Sequence, residues 1–253
     1  MIQPIEFKND KGLNLRGFIH RPNKYDTAVI FIHGFPGSMF GTAARVLTIF
    51  SKLGFLCMRF EFTGTNTSEG KFENKRMSQE TNDIKSAIDF LEHNFKFKKL
   101  ILVGHSTGAI DAALYAHKDK RITKLILLSG VSDLKHAVHY DFTDEQVNQF
   151  WSKGYIAYKC PGAWYHNKKL KKAFYDEFFT LNIPKSLKKY YHPLLIVHGS
   201  KDESVPVKEA HQLYKIANKP KKILIIRGAD HRFTKKRHQL QLLWNLYRFI
   251  KKR

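Results

Sequence analysis

The chain has 253 residues and carries 44 Lys and Arg against 22 Asp and Glu, a formal net charge of +22. A hydrophobic fraction of 43% with 20 Phe, 11 Tyr and 3 Trp excludes a disordered chain, and no apolar run approaches the ~18 residues of a membrane span. Its two cysteines, Cys57 and Cys160, exclude a disulfide framework and a cysteine-based metal site.

The start, "MIQPIEFKNDKGLNL", lacks the basic-then-apolar order of a secretory leader, so the expected location is the cytoplasm. Residues 2–7 and 13–20 read as strands joined at "NDKG". "TAVIFIHG" (27–34) is the unbroken apolar run of a strand buried on both faces. A helix is expected over 40–53, a strand over 55–62, and a helix over 76–95, where Ile84, Ala87, Ile88 and Leu91 fall at helical spacing. "KLILVGHS" reads as a strand followed by a helix over 107–118. Further strands are expected at 124–130, 193–199 and 221–228, with helices at 207–217 and 235–252. This alternation predicts an α/β fold with a mostly parallel central sheet flanked by helices.

One segment breaks the rhythm. Residues 133–192 show no strand-like run but hold 14 of the aromatic residues, including Trp151, Tyr158, Trp164 and Phe178. They read as a helical cap inserted over one end of the sheet, between core segments 1–132 and 193–253. The charge is uneven too: residues 1–133 hold 19 basic and 13 acidic residues, residues 134–253 hold 25 and 9. Such a surface can attract nucleic acid, anionic lipid or an acidic carrier protein. The lysine clusters are scattered and no nucleic-acid motif accompanies them, so the charge is read as a well-solvated surface.

"GHSTG" (104–108) places Ser106 between small residues, after a strand and before a helix. A sharp strand-to-helix turn holds such a serine out at the sheet's carboxyl edge in a strained conformation. The helix that follows aims its N-terminal N–H groups at developing negative charge. A serine hydroxyl is a weak nucleophile and needs a base, which needs an orienting acid. Both are available after late strands: Asp202 in "HGSKDESVP" and His231 in "GADH". Loops at the carboxyl ends of parallel strands converge on one crevice, so Ser106, Asp202 and His231 are expected to meet.

"HGFPGS" (33–38), "GHSTG", "HGSKDESVP" and "GADH" together make the chain resemble the α/β-hydrolase family over nearly its whole length outside 133–192. The resemblance implies an oxyanion hole built from the backbone N–H groups of Phe35 and Thr107. "MRFEFTGTNTSEGKFEN" (58–74) resembles the bacterial cinnamoyl and feruloyl esterases and related serine-aminopeptidase-like lipases, whose usual form is R-F-D-F-x-G-x-G-x-S-x-G-K-F. Two positions depart from it: Glu61 stands for the Asp and Asn66 for the second Gly. A serine at the elbow, where dehalogenases and epoxide hydrolases of this fold carry aspartate, leaves acyl transfer to water.

Other candidates carry less. Asp230 adjoins His231 and cannot easily fold back onto its ring; Glu203 is the fallback acid. His136 and His139 lack partners for a metal. His33 and His105 read as supporting structure, His198 as a packed residue, and Cys57 as inert in a strand. The expected activity is a carboxylesterase-like serine hydrolase needing no cofactor or metal, acting on a small acyl ester. An acyl-carrier-protein or acyl-coenzyme A thioesterase is the alternative, with a peptidase third. The rival of another class is a binding protein that uses the basic surface without chemistry.

Overall fold

A computed structural model describes residues 1–252. The chain opens with an antiparallel pair, β1 (Ile2–Lys8) and β2 (Asn14–His20), closed at Asn9, whose side chain accepts from the backbone N–H groups of Lys11 and Leu13. From β3 (Thr27–Ile32) the chain alternates: α1 (Thr42–Lys52), β4 (Leu56–Phe60), α2 (Met77–Asn94), β5 (Lys99–His105), α3 (Thr107–Tyr115) and β6 (Ile122–Leu128). After the insertion come β9 (Leu194–Gly199), α8 (Lys208–Ile216), β10 (Lys221–Ile226) and α9 (Lys236–Lys251). The eight-stranded sheet runs β1-β2-β4-β3-β5-β6-β9-β10, parallel from β4 onward.

The inner strands are buried along most of their length because both faces are covered, and most of their residues are apolar, yet the two faces differ. Val29, Phe31, Ile101, Val103, Ile126 and Val197 meet α1 and α9 through Leu47, Phe50, Leu242 and Leu246. Ile30, Ile32, Leu102, Leu125 and Ile196 meet the other layer, with Ile84 and Ile88 of α2 and Ala112 of α3. The chain leaves β3 toward β4 through α1 and returns past it to β5 through α2. The crossovers therefore diverge at the carboxyl ends of β3 and β5, where an open α/β sheet forms a crevice. This α/β-hydrolase topology matches the sequence-based expectation, with most element ends within two residues.

The insertion differs from its expectation. It contains α4 (Leu134–Asp141), α5 (Asp144–Lys153), α6 (Lys172–Thr180) and α7 (Ile183–Leu187), but also an antiparallel pair, β7 (Tyr155–Ala157) and β8 (Lys169–Lys171). The segment is thus not wholly helical. Only Ile156 and Leu170 of this pair are buried, so each strand buries one position in three and no alternation is long enough to read. Lys169 lies over the Tyr155 ring at 4.2 Å and helps to hold the pair. Helix ends follow their caps: Asp133 caps α4, Thr143 and Gln146 form a capping box on α5, and Asn182 caps α7. α7 packs against α3 and α8, whereas α4 and α5 pack on α6, which meets α2.

Candidate active site

Ser106 sits between β5 and α3 with φ 58 and ψ −126, a conformation that a non-glycine residue adopts only when its surroundings enforce it. Its N–H donates to the Leu128 carbonyl at 2.9 Å, and its carbonyl accepts from Ala109 N–H at 2.8 Å. The glycines around it are required by crowding. A Cβ on Gly104 would stand 2.2 Å from the Gly108 carbonyl oxygen, and one on Gly108 would stand 2.4 Å from that of His33. A Cβ on Gly34 would meet Ser106 Cβ at 2.7 Å and Oγ at 3.2 Å, so the loop after β3 lies directly against the serine. Among the described residues, the N–H groups of Phe35 and Thr107 donate to no acceptor.

The loops after β9 and β10 bring the other two residues together. His231 Nδ1 lies 2.9 and 3.0 Å from the two carboxylate oxygens of Asp202. Asp202 also accepts from Ser204 N–H at 3.0 Å and Val205 N–H at 2.8 Å, and His198 Nε2 lies 3.2 Å away. Burial opposes its charge, but hydrogen bonds from His198 and His231 and the backbone hold the carboxyl well below the usual range. An ionised Asp202 keeps the His231 proton on Nδ1 and leaves Nε2 as the basic nitrogen. His105, next to the serine, places Nε2 2.9 Å from the His231 carbonyl, with the two rings 5.0 Å apart. The neighbour of Ser106 thus anchors the backbone of His231.

The remaining sequence candidates separate cleanly. Glu203 accepts from the His231 backbone N–H at 3.2 Å rather than from its ring, and Asp230 turns to Thr234. His33 donates to the Gly34 carbonyl at 2.9 Å, and burial pushes its pKa down to about 3. His198, expected only to pack, is a partner of Asp202 as well. His136 faces Glu209 at 3.3 Å. The two departures in the 58–74 motif meet each other: Asn66, at φ 42 where glycine is usual, donates to Glu61 at 3.0 Å. Thr67 gives Glu61 two more bonds at 2.9 Å, so the longer acid and the asparagine compensate for one another.

The family model for the prolyl oligopeptidase family matches residues 42–253. The chain belongs to the prolyl oligopeptidase family. This membership covers α1 to the end of the chain, including Ser106, Asp202 and His231; Phe35 precedes the matched span. A relative of this prolyl oligopeptidase family chain is the mitochondrial palmitoyl-protein thioesterase ABHD10 of Homo sapiens, 28% identical over 85% of this chain and 70% of that protein. Among solved structures, Est1E from Butyrivibrio proteoclasticus with ferulic acid bound superposes with a TM-score of 0.83 at 23% identity, covering 97% of both chains. Mouse α/β-hydrolase domain-containing protein 10 gives 0.79 at 21%, covering 98% of both. The fold is that of an α/β-hydrolase, and the family and relatives make this chain a hydrolase with esterase and thioesterase kin.

Three features of the site escape sequence reasoning. The first is an aromatic cluster: Phe35 stacks on Phe174 at 4.8 Å and on Phe72 at 5.8 Å, with Tyr158 edge-on at 6.1 Å. Trp164 donates to the Pro36 carbonyl at 3.1 Å. Tyr158, Trp164 and Phe174 all come from the insertion, which therefore rests on the loop after β3.

The second is a buried charge cluster behind that loop. Lys75, Glu80 and Asp111 gather with His33 to Gly37, Thr65 and Trp164, with no room among them for a water molecule. Lys75 Nζ lies 2.5 Å from Glu80 and 2.6 Å from the Thr65 hydroxyl. Burial and the nearby Glu80 raise the Asp111 carboxyl well above the usual range, against the pull of Lys75. Burial likewise raises Glu80. One ammonium cannot neutralise two buried carboxylates, so the pair retains a proton and the cluster is neutral overall. Asp111 is the one charged residue in the helical run "TGAIDAALY", which is the signal that could have flagged it.

The third is Asp141, at the end of α4. Burial pushes its carboxyl up to about 7, with the charge of His231 pulling the other way. The folded state then keeps a proton that the unfolded state has lost, so this group lowers stability as pH rises from about 4 to about 7 and adds nothing above that. Asp141→Asn is expected to raise the melting temperature relative to wild type at pH near 8 and to leave it unchanged near pH 4, as thermal melts at both pH values will read.

Proposed function

We propose that this chain is a serine hydrolase that transfers the acyl group of an ester to water through an acyl-enzyme on Ser106. The observation that carries the reading is the short Asp202–His231 pair anchored through His105 to the residue beside a strained Ser106. In this mechanism Ser106 Oγ attacks the substrate carbonyl carbon while its proton passes to His231 Nε2. Asp202 holds the tautomer and stabilises the imidazolium. The tetrahedral oxyanion accepts from the N–H groups of Phe35 and Thr107, each of the kind worth about 2.7–4 kcal/mol in the transition state. Collapse breaks the bond to the leaving group, which takes the proton from His231. Water, deprotonated by the same nitrogen, then attacks the acyl carbon, and the acid leaves as Oγ regains its proton.

On this reading residues 133–192 form a cap over a core of 1–132 and 193–253, and the rings around Phe35 favour an apolar or aromatic acyl group. Carboxylester cleavage is the first reading. A thioesterase is the second, favoured by the ABHD10 relative's own name and by a basic surface that would speed capture of an acidic acyl carrier. Wild type and Ser106→Ala should be compared on p-nitrophenyl esters of graded chain length and on acyl-coenzyme A thioesters, with fluorophosphonate labelling in parallel. Turnover and labelling in wild type, both falling to background in the variant, are expected. Full activity in Ser106→Ala would remove the serine from the mechanism. The donor with the higher kcat/KM decides between ester and thioester.

A further inference from the structure

α9 carries apolar side chains beyond those it buries in the core. Leu242, Leu246, Phe249 and Ile250 are buried against the sheet. Leu240 and Trp244, one turn apart, point outward and are 67% and 60% exposed, while Leu243 and Tyr247 beside them are half-buried against the edge of the core. The adjacent α1 repeats the arrangement: Ile49 and, just past its end, Leu53 are 40% and 44% exposed. Val46, Ile49, Leu242 and Leu243 line a shared groove, so the two helices present one apolar band rather than scattered residues.

The charge around this band is of one sign. Arg45, Lys52, Lys236, Arg237, Arg248 and Lys251 are exposed, and Arg248 lies over the Trp244 ring at 5.9 Å. Residues 42–52 and 231–253 contain no Asp or Glu, although the chain has 22 of them elsewhere. Aliphatic side chains inside a cationic rim are the composition of a helix lying at a lipid–water boundary. Tryptophan and snorkelling lysine or arginine complete that composition. A nucleic acid would meet the cations but leave Leu240, Ile49 and Leu53 in contact with phosphates. Among the described residues no helix is long and apolar enough to cross a membrane, so the contact is with a surface.

We propose that the outer face of α1 and α9 docks the protein on an anionic lipid bilayer, with Leu240, Trp244, Ile49 and Leu53 entering the headgroup boundary and the surrounding lysines and arginines contacting acidic headgroups. The groove ends at Arg232, whose carbonyl accepts from Arg45 at 3.1 Å and which follows His231 directly. Docking therefore sets the His231 loop beside the bilayer.

The test is co-sedimentation of the full chain with phosphatidylcholine vesicles, with and without one-third phosphatidylglycerol, at low and high salt. Binding is expected only with the anionic vesicles and should weaken as salt shortens the screening length. Leu240→Gln with Trp244→Gln should weaken partitioning at least about tenfold, and Lys52→Gln with Lys236→Gln about 30-fold, on roughly 1 kcal/mol per cation. Trp emission should be quenched by brominated acyl chains in wild type and not in Trp244→Gln. All these residues are exposed, and matched thermal melts establish that the variants fold. Trp151→Gln, which alters the exposed tryptophan of the insertion, should bind as wild type does. Absence of vesicle binding overturns the proposal. So does binding unaffected by the Leu240 and Trp244 changes, loss of binding in Trp151→Gln instead, or retention by duplex DNA in place of vesicles.

Discussion

Asp202→Asn is expected to lower kcat by about ten-thousand-fold with little change in KM. The reason lies in the direction of one hydrogen bond. Asp202 accepts from His231 Nδ1, from two backbone N–H groups and from the neighbourhood of His198, and it offers no donor to any of them. An asparagine replaces one accepting oxygen with an NH2 group. With its oxygen kept by the Ser204 and Val205 N–H groups, the amide nitrogen faces the imidazole. The His231 proton then moves to Nε2, the atom that in the proposed mechanism takes the proton from Ser106. Geometry survives while the base is lost, so fluorophosphonate labelling should slow in step with kcat. Glu203→Gln should cost far less, because Glu203 holds only the His231 backbone. A loss in Asp202→Asn of less than about tenfold would remove Asp202 from the orienting role.

Lys75→Met is expected to destabilise the fold by about 3–5 kcal/mol, read from urea unfolding near neutral pH. Lys75, Glu80 and Asp111 are all almost fully buried, so the change leaves two carboxyls in a site with no counter-charge. They respond by taking up protons. Their pKa values already lie above those of the unfolded chain, and losing the lysine raises them further. An acid with a raised folded pKa lowers stability as pH climbs above its unfolded value near 4. The penalty should therefore shrink as pH falls toward 4 and reach its full size at neutral pH. Adding Glu80→Gln to Lys75→Met leaves one protonated Asp111 and should recover most of the loss. A single variant within about 1 kcal/mol of wild type, or a double variant no better than the single, would show that the lysine is not the compensating charge.

The fold was largely legible because its signals are local and strong. Four unbroken apolar runs mark β3, β5, β6 and β9, which only strands covered on both faces display, and the amphipathic spacing of α2 lies between two of them. The proposed triad could be assembled from order alone, because parallel strands deliver their following loops to one edge. What stayed hidden depends on long-range contact. β7 and β8 have one buried residue each, too few for a period. Asp141 gains its character from burial in the folded chain, against the pull of His231, and Lys75, Glu80 and Asp111 acquire theirs only when α2 and α3 close around them. The Glu61–Asn66 bond shows the same limit: each departure alone suggests an altered loop, and only the fold shows that the two side chains meet.

Phe35 ties two properties that enzymes often vary separately. Its ring belongs to the aromatic cluster supplied by the insertion, while its N–H, which donates to no acceptor among the described residues, is one of the two proposed oxyanion donors. Under the proposed mechanism, a substitution at Tyr158 or Phe174 that reshapes the acyl pocket also moves a transition-state donor. Specificity and turnover should drift together in this protein. A new substrate preference introduced through the insertion will need a second change near Phe72 or Pro36 to restore the rate.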